Sequence, residues 1–284
     1  MVQMLTFDVE NIEKKLKEIK EEQRDIGVGT ETLNRFPIFE ATLRAEARTR
    51  TFENKNKHCK ITVSGRLGQN HKSLLEAILY KRKFYKAYKD EEGKPHIKIL
   101  YSEYEVKKHL SKSVYSKERY KALLDDMKEA YVKIEKEDRI IEGKLIEDVT
   151  ISHKYSKRTK SNLPGLKNQE IPYCVLTLGD VTTQLILEEF KFTYDPKPIT
   201  TELTSGISQA IVRYINTHSR HPNAGYHLKE LVQNLKENVE GQEWYNVKTF
   251  LKKDADKLKR FFGIVIDFKK ERLFVMRKEV CFSC

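Results

Sequence analysis

The sequence predicts an α+β chain in which one supersecondary unit, short helices closed by a β-hairpin, occurs twice in tandem behind a separate amino-terminal helix. Three observations predict it. Apolar residues recur at helical spacing from Ser116 to Tyr131 and again from Glu243 to Phe262. Each stretch is followed by two β-type runs around a charged turn, 132–137 with 140–151 and 264–268 with 272–276. Each is preceded by shorter helices that open on a capping Ser or Thr. That order is the winged-helix variant of helix-turn-helix. It divides the chain into an amphipathic helix and linker (1–35), a first winged-helix domain with flanking strands (36–198) and a second winged-helix domain (199–284).

In order along the chain, Asp8 caps a helix over 8–24 whose narrow stripe is Val9, Ile12, Leu16 and Ile19; Gly27 and Gly29 end it. Strand-like pieces follow at Phe36, Ile38 and Thr42–Leu43, at Thr49–Phe52 and at Cys59–Val63. The turn 64–69 opens a helix with Leu74, Leu75, Ile78 and Leu79 that runs to about Ala87. Asp90-Glu91-Glu92-Gly93 breaks the chain before a strand at His96–Tyr101. Ser102 caps a short helix with Tyr104, Val106 and Leu110, and the next helix carries Tyr120, Leu123, Leu124, Met127 and Tyr131 on its core side. The two β-type runs complete the first unit, and 149–169 is expected as a basic disordered loop. Residues 173–192 join the halves, and Tyr194–Pro198 is expected as a stiff linker. Thr204 or Ser205 caps a helix with Ile207, Ile211, Val212 and Ile215; 221–225 is a break; 226–236 is a second short helix. The long helix and the terminal hairpin across Lys269-Lys270-Glu271 close the second unit.

Composition bounds the function classes. Hydrophobic residues at 39% and charged residues at 34% support packed cores and exclude wholesale disorder. Four cysteines in 284 residues are too few for a disulfide framework and read as thiols of a reducing cytosol. The first residues lack the basic and apolar regions of a secretory signal, and no apolar run approaches the roughly 18 residues of a transmembrane span, so a cytoplasmic protein is expected. The net charge of +12 favours a polyanionic partner, although a generally Lys-rich surface would give the same sum. Position decides. Residues 1–61 hold 12 basic and 11 acidic side chains, residues 62–200 hold 27 and 21, and residues 201–284 hold 15 and 10, so the excess sits in the two hairpin-closed units.

On a helical wheel, Trp244, Val247, Phe250, Leu251, Ala255, Leu258, Phe261 and Phe262 form the core side of the last long helix. Its other side holds Tyr245, Asn246, Lys248, Thr249, Lys252, Lys253, Lys259 and Arg260, with Asp256 as its one acid. A helix that enters the major groove needs cations for phosphates and donor–acceptor side chains for base edges. Lys248, Lys252 and Lys259 suit the first role; Asn246, Thr249, Lys253 and Arg260 suit the second. Lys269 and Lys270 at the hairpin turn extend the same surface. The matching helix of the first unit is mixed: Lys117, Lys121 and Lys128 share its outer side with Glu118, Asp125, Asp126 and Glu129. Beyond it, Lys154, Lys157, Arg158 and Lys160 are candidates for tracking a phosphate backbone.

Catalytic signatures are lacking. His96-Ile97-Lys98 and His218-Ser219-Arg220-His221 do not make the His-hydrophobe-His pair of a nickase, and no phosphate-binding Gly-rich loop occurs. Cys281 and Cys284 have CxxC spacing without a second pair, so neither a metal nor a cofactor is expected, even counting His218, His221 and His227 as further ligands.

Across residues 36–278 the chain resembles the iteron-binding plasmid replication initiators, Rep proteins with two winged-helix domains, most closely the TrfA type. The resemblance rests on Leu43-Arg44-Ala45-Glu46-Ala47-Arg48 with Phe52, on Ile61-Thr62-Val63-Ser64-Gly65-Arg66-Leu67 and on Tyr115 through Leu124. In the second unit it rests on Leu203-Thr204-Ser205 and Ile211-Val212-Arg213-Tyr214. It implies a non-enzymatic protein that binds repeated sites in double-stranded origin DNA, promotes opening of an AT-rich segment, and recruits the host replication initiator and the replicative helicase. It also implies a homodimer formed through the first domain. The residues alone equally permit a winged-helix transcriptional regulator or autorepressor.

Overall fold

Two sets of buried apolar side chains organise the chain into two cores. The computed structural model describes residues 27–54, 59–111, 115–158 and 170–276, which form a mixed α/β molecule with several sheets. The helix expected over 8–24, Lys160, Cys281 and Cys284 lie outside the described residues.

The first core is built from β1 (Gly29–Thr30), α1 (Glu31–Arg35), β2 (Arg48–Asn54), β3 (Cys59–Gly65), α2 (Gln69–Tyr80), β4 (Arg82–Lys89) and β5 (Pro95–Ser102). It continues with α3 (Glu103–Leu110), α4 (Lys117–Glu129), β6 (Tyr131–Glu135), β7 (Ile140–Lys144), β8 (Ile146–Arg158), β9 (Glu170–Leu178), α5 (Asp180–Glu188) and β10 (Lys191–Phe192). One antiparallel sheet has the order β2-β3-β6-β7 and another β4-β5-β9-β8; β1 pairs with β10. Leu74, Leu75, Ile78 and Leu79 of α2 pack between them with Ile61, Val63, Ile97 and Ile99. Ser102 and Ser116 cap α3 and α4, accepting from the amides of Glu105 and Arg119.

The second core comprises α6 (Lys197–Glu202), α7 (Gly206–Ile215), β11 (Tyr226–His227), α8 (Leu228–Gln233), α9 (Gly241–Phe262), β12 (Ile264–Asp267) and β13 (Arg272–Val275), with strand order β11-β13-β12. Ile207, Ile211, Val212 and Ile215 of α7 pack against Trp244, Val247, Leu251 and Leu258 of α9.

Several expectations are corrected. The helix expected to reach Ala87 stops at Tyr80, and Arg82–Lys89 is a strand hairpinned to β5. Tyr85, opposite Ile99, packs against the core while Ala87, opposite Ile97, is exposed, and Gly93, at φ +82°, supplies the left-handed residue that its turn needs. Residues 36–43 form no strand: the buried Arg50 guanidinium donates to the carbonyls of Pro37 and Ile38, and the backbone pairs with 67–70 through an isolated bridge at Glu40. The run 140–151 is two strands in two sheets, parted at the fully buried Leu145, and β6 pairs with β3 as well as β7, so the β6–β7 hairpin is not a free wing. Residues 149–158, expected as a disordered loop, belong to β8 and pair with β9 around a bulge between Ser152 and Ser156. Tyr131 leaves the α4 stripe and is exposed in β6. Tyr194 is docked rather than part of a free linker, its hydroxyl donating to Glu76 at 2.7 Å, and Lys197 already begins α6. Tyr226 and His227 are a strand beside β13, which shortens the second helix to α8.

Candidate nucleic-acid interface

The interface is built on α9, 22 residues and about 33 Å long at roughly 1.5 Å per residue. Trp244, Val247, Leu251, Asp254 and Leu258 are its buried residues, at 3-4-3-4 spacing. The helix ends on Gly263, whose φ of +66° forms a left-handed cap with its amide donating to Lys259 O. The chain then turns directly into β12.

Asp254 fixes where this helix lies. Its carboxylate accepts from Thr204 N at 3.1 Å, from Thr204 Oγ1 at 2.7 Å and from Ser205 N at 3.0 Å. Burial alone would raise its pKa; the hydrogen bonds from Thr204, Ser208 and Ser205 outweigh that and hold the carboxyl below the usual aspartate range. Ser205 in turn caps α7, so the middle of α9 is tied to the start of α7.

With that stripe inward, the opposite side faces solvent. Tyr245 is 64% exposed, and Lys252, Lys253, Lys259 and Arg260 are exposed; Asn246, Lys248 and Thr249 are half-buried. Tyr245, Thr249, Lys252, Asp256 and Arg260 follow one another at 4-3-4-4 spacing, a single outward row. Thr249 Oγ1 donates to Tyr245 O at 3.0 Å, which leaves its lone pairs outward, and Asn246 Oδ1 accepts from Gln242 Nε2 at 3.2 Å. Lys252 and Lys253 lie over the rings of Phe268 and Phe250, and Arg260 lies over Phe261. Phe250, expected in the core, is 45% exposed because it stands about 80° off the centre of the buried stripe.

The hairpin turn is locked to this helix. Asp267 Oδ1 accepts the amides of Lys269 and Lys270 at 3.0 Å each, contacts that depress its pKa and leave both lysine side chains exposed at the tip. Glu271, in a left-handed conformation at φ +49°, accepts from Trp244 Nε1 at 3.1 Å and from Lys248 Nζ at 3.2 Å. Lys248 therefore has a carboxylate partner and a ring beneath it, Trp244, and is a tie between helix and hairpin more than a spare cation.

The remaining candidates are dispersed. Lys117 and Lys121 are exposed on α4, in the other core, beside exposed Glu118, Asp125 and Glu129; Asp126 is engaged by His71 Nε2 at 3.1 Å. Lys154, Lys157 and Arg158 lie in β8. Sequence reasoning missed Asp254 and Glu271. Asp254 had a signal, being the one acid in the buried 3-4 row; Glu271 had none, since only the folded turn brings it to Trp244. Among the described residues, no group of three His, Cys, Asp or Glu side chains is placed to hold a metal ion, and no helix is long and apolar enough to cross a membrane.

No protein-family model matches the chain, and no curated protein matches it. A solved structure of RctB domains 2–3 is similar at a TM-score of 0.45 and 11% sequence identity, over 77% of this chain and 79% of that one.

Proposed function

We propose that this chain is a sequence-specific, non-enzymatic binder of double-stranded DNA that acts as a replication initiator of the iteron-binding kind, with residues 199–284 as its main winged-helix reader. The observation that carries the reading is the outward row of α9, flanked by exposed Lys252, Lys253, Lys259 and Arg260 and continued by Lys269 and Lys270 at the adjoining hairpin tip. Lys252, Lys259, Lys269 and Lys270 suit phosphates, and Asn246, Thr249, Lys253 and Arg260 suit base edges. Asp256, a carboxylate in the middle of that row, weakens attraction to phosphate and can accept from a cytosine amino group, as expected of a surface that reads sequence. The first domain contributes less, because exposed acids offset Lys117 and Lys121. Opening of an AT-rich segment, recruitment of the host initiator and helicase, and a dimer through the first domain belong to the proposal through the sequence resemblance.

The test is competition binding to repeated sites from DNA flanking the gene and to random duplex. Lys253→Ala or Arg260→Ala should weaken site binding by about 1–3 kcal/mol and random-duplex binding by less; equal losses on both would refute base reading by α9. Direct repeats beside an AT-rich tract support the initiator, whereas an isolated palindrome identifies a transcriptional regulator.

A further inference from the structure

The two cores meet across a buried polar cluster. One face of α2 presents Gln69, Lys72, Ser73 and Glu76, and α7 answers with Gln209 and Arg213; all six are buried. Arg213 is 1% exposed. Its Nε reaches both Glu76 oxygens at 2.9 Å, Nη1 donates to Gln69 at 2.8 Å and Gln209 at 3.3 Å, and Nη2 donates to Ser73 at 2.9 Å and pairs with Glu76 at 2.8 Å. All five guanidinium N–H groups are thus used. Tyr194, itself reached by Asn34, donates to Glu76 Oε1.

Lys72 breaks the balance. Glu76, on its own helix, is 3.8 Å from its Nζ, and Arg213 faces it from α7. From the segment after β1 the Leu33 carbonyl, at 2.8 Å, and the Phe39 ring meet it. One carboxylate therefore sits with two potential cations where water is excluded. Ala210 and Arg213 of α7 cover that side of Lys72, lining a small cavity with Leu33, Phe39 and Gln69.

We propose that this cluster is a proton-gated clamp between the two cores: uptake of a proton at Lys72 favours separation of α7 from α2, and its release favours closure. The sign follows from the two environments. Burial, opposed by Glu76 and assisted by Arg213, pushes Lys72 down to about 7 in the closed form. Once α7 lifts away, the amine meets water and returns toward the ordinary 10.5. Between those values the open form holds one more proton, so the open-to-closed ratio rises about tenfold for each unit by which pH falls, and levels off below about 7. The inference is independent of whether the chain reads DNA.

Spin labels at Lys89→Cys on β4 and Gln233→Cys on α8 span the two cores at exposed positions. With Cys281→Ser and Cys284→Ser introduced, the native cysteines that remain are Cys59 and Cys174, both buried. Pulsed dipolar distances on the full chain from pH 6 to 10 should show a longer-distance population that grows as pH falls toward 7. Lys72→Met, which has no proton to take up, should abolish that dependence. Lys72→Gln serves the same purpose should the Met variant fail to fold, and Arg213→Met should broaden the distances at every pH. An invariant single distance in the parent, or a pH response that persists without the Lys72 amine, would overturn the clamp.

Discussion

Asp254 shows how one buried side chain decides the posture of a whole surface. Its carboxylate accepts from the Thr204 and Ser205 amides, so Asp254→Ala leaves the buried Ser205 amide unmet and should cost about 1–3 kcal/mol in urea unfolding. Glu189 plays a similar part in the first core, accepting from Thr32 N at 2.8 Å and from Lys136 Nζ at 2.7 Å. Burial pushes both carboxyls up, and their hydrogen bonds more than reverse it, so both titrate below their ordinary 3.8 and 4.5. A carboxyl depressed in the folded state adds stability above its ordinary pKa and loses it as pH falls through the folded value. The urea midpoint should therefore drop on acidification from pH 5 toward 3, and Asp254→Asn should drop less. Lys248 makes a second prediction at this scale: because Glu271 already pairs with it, Lys248→Ala should reduce DNA affinity less than Lys252→Ala does, measured side by side at one salt concentration. Lys248 stood among the candidate residues by its wheel position alone; its partner lies 23 residues on, across a turn whose left-handed Glu271 no local pattern announces.

At the scale of elements, α9 and its hairpin were the most legible part of the chain. A long amphipathic helix, a Gly at its end and a short alternating hairpin each carry their own local signal, and the structure changes the helix start by only two residues. Gly263 is the hinge of that arrangement. A Cβ there would enter the left-handed region and stand 3.0 Å from Met276 O, so Gly263→Ala should lose about 1–2 kcal/mol and lower the melting temperature. Arg82–Lys89 was misread as helix because Phe84, Tyr85 and Ala87 sit close enough to Leu79 to extend its pattern, while the ladder with β5 that makes them a strand is a pairing decision. The same reason separates β7 from β8: both read as one β run, and only the choice of partner sheet places a corner at Leu145.

For the molecule as a whole, electrostatics gives the broadest prediction. If Lys252, Lys259, Lys269 and Lys270 each neutralise a phosphate, the logarithm of the binding constant should fall with the logarithm of salt at a slope of about −4, and Lys259→Ala should make that slope shallower by about 0.9. A slope near zero would remove the DNA reading altogether.

Local order was the sequence's own work: the caps at Ser102, Ser116 and Ser205, the stripe of α9 and the cationic side opposite it all follow from residues within a few turns of one another. Which strands share a sheet, that Glu271 holds Lys248, and that Arg213 reaches across 137 residues to Glu76 were settled only in three dimensions. Helical spacing is a property of neighbours and can be read along the chain. Strand pairing and buried charge pairing depend on which distant segment arrives, and the free energy that selects it, water excluded from both partners at once, exists only after they meet.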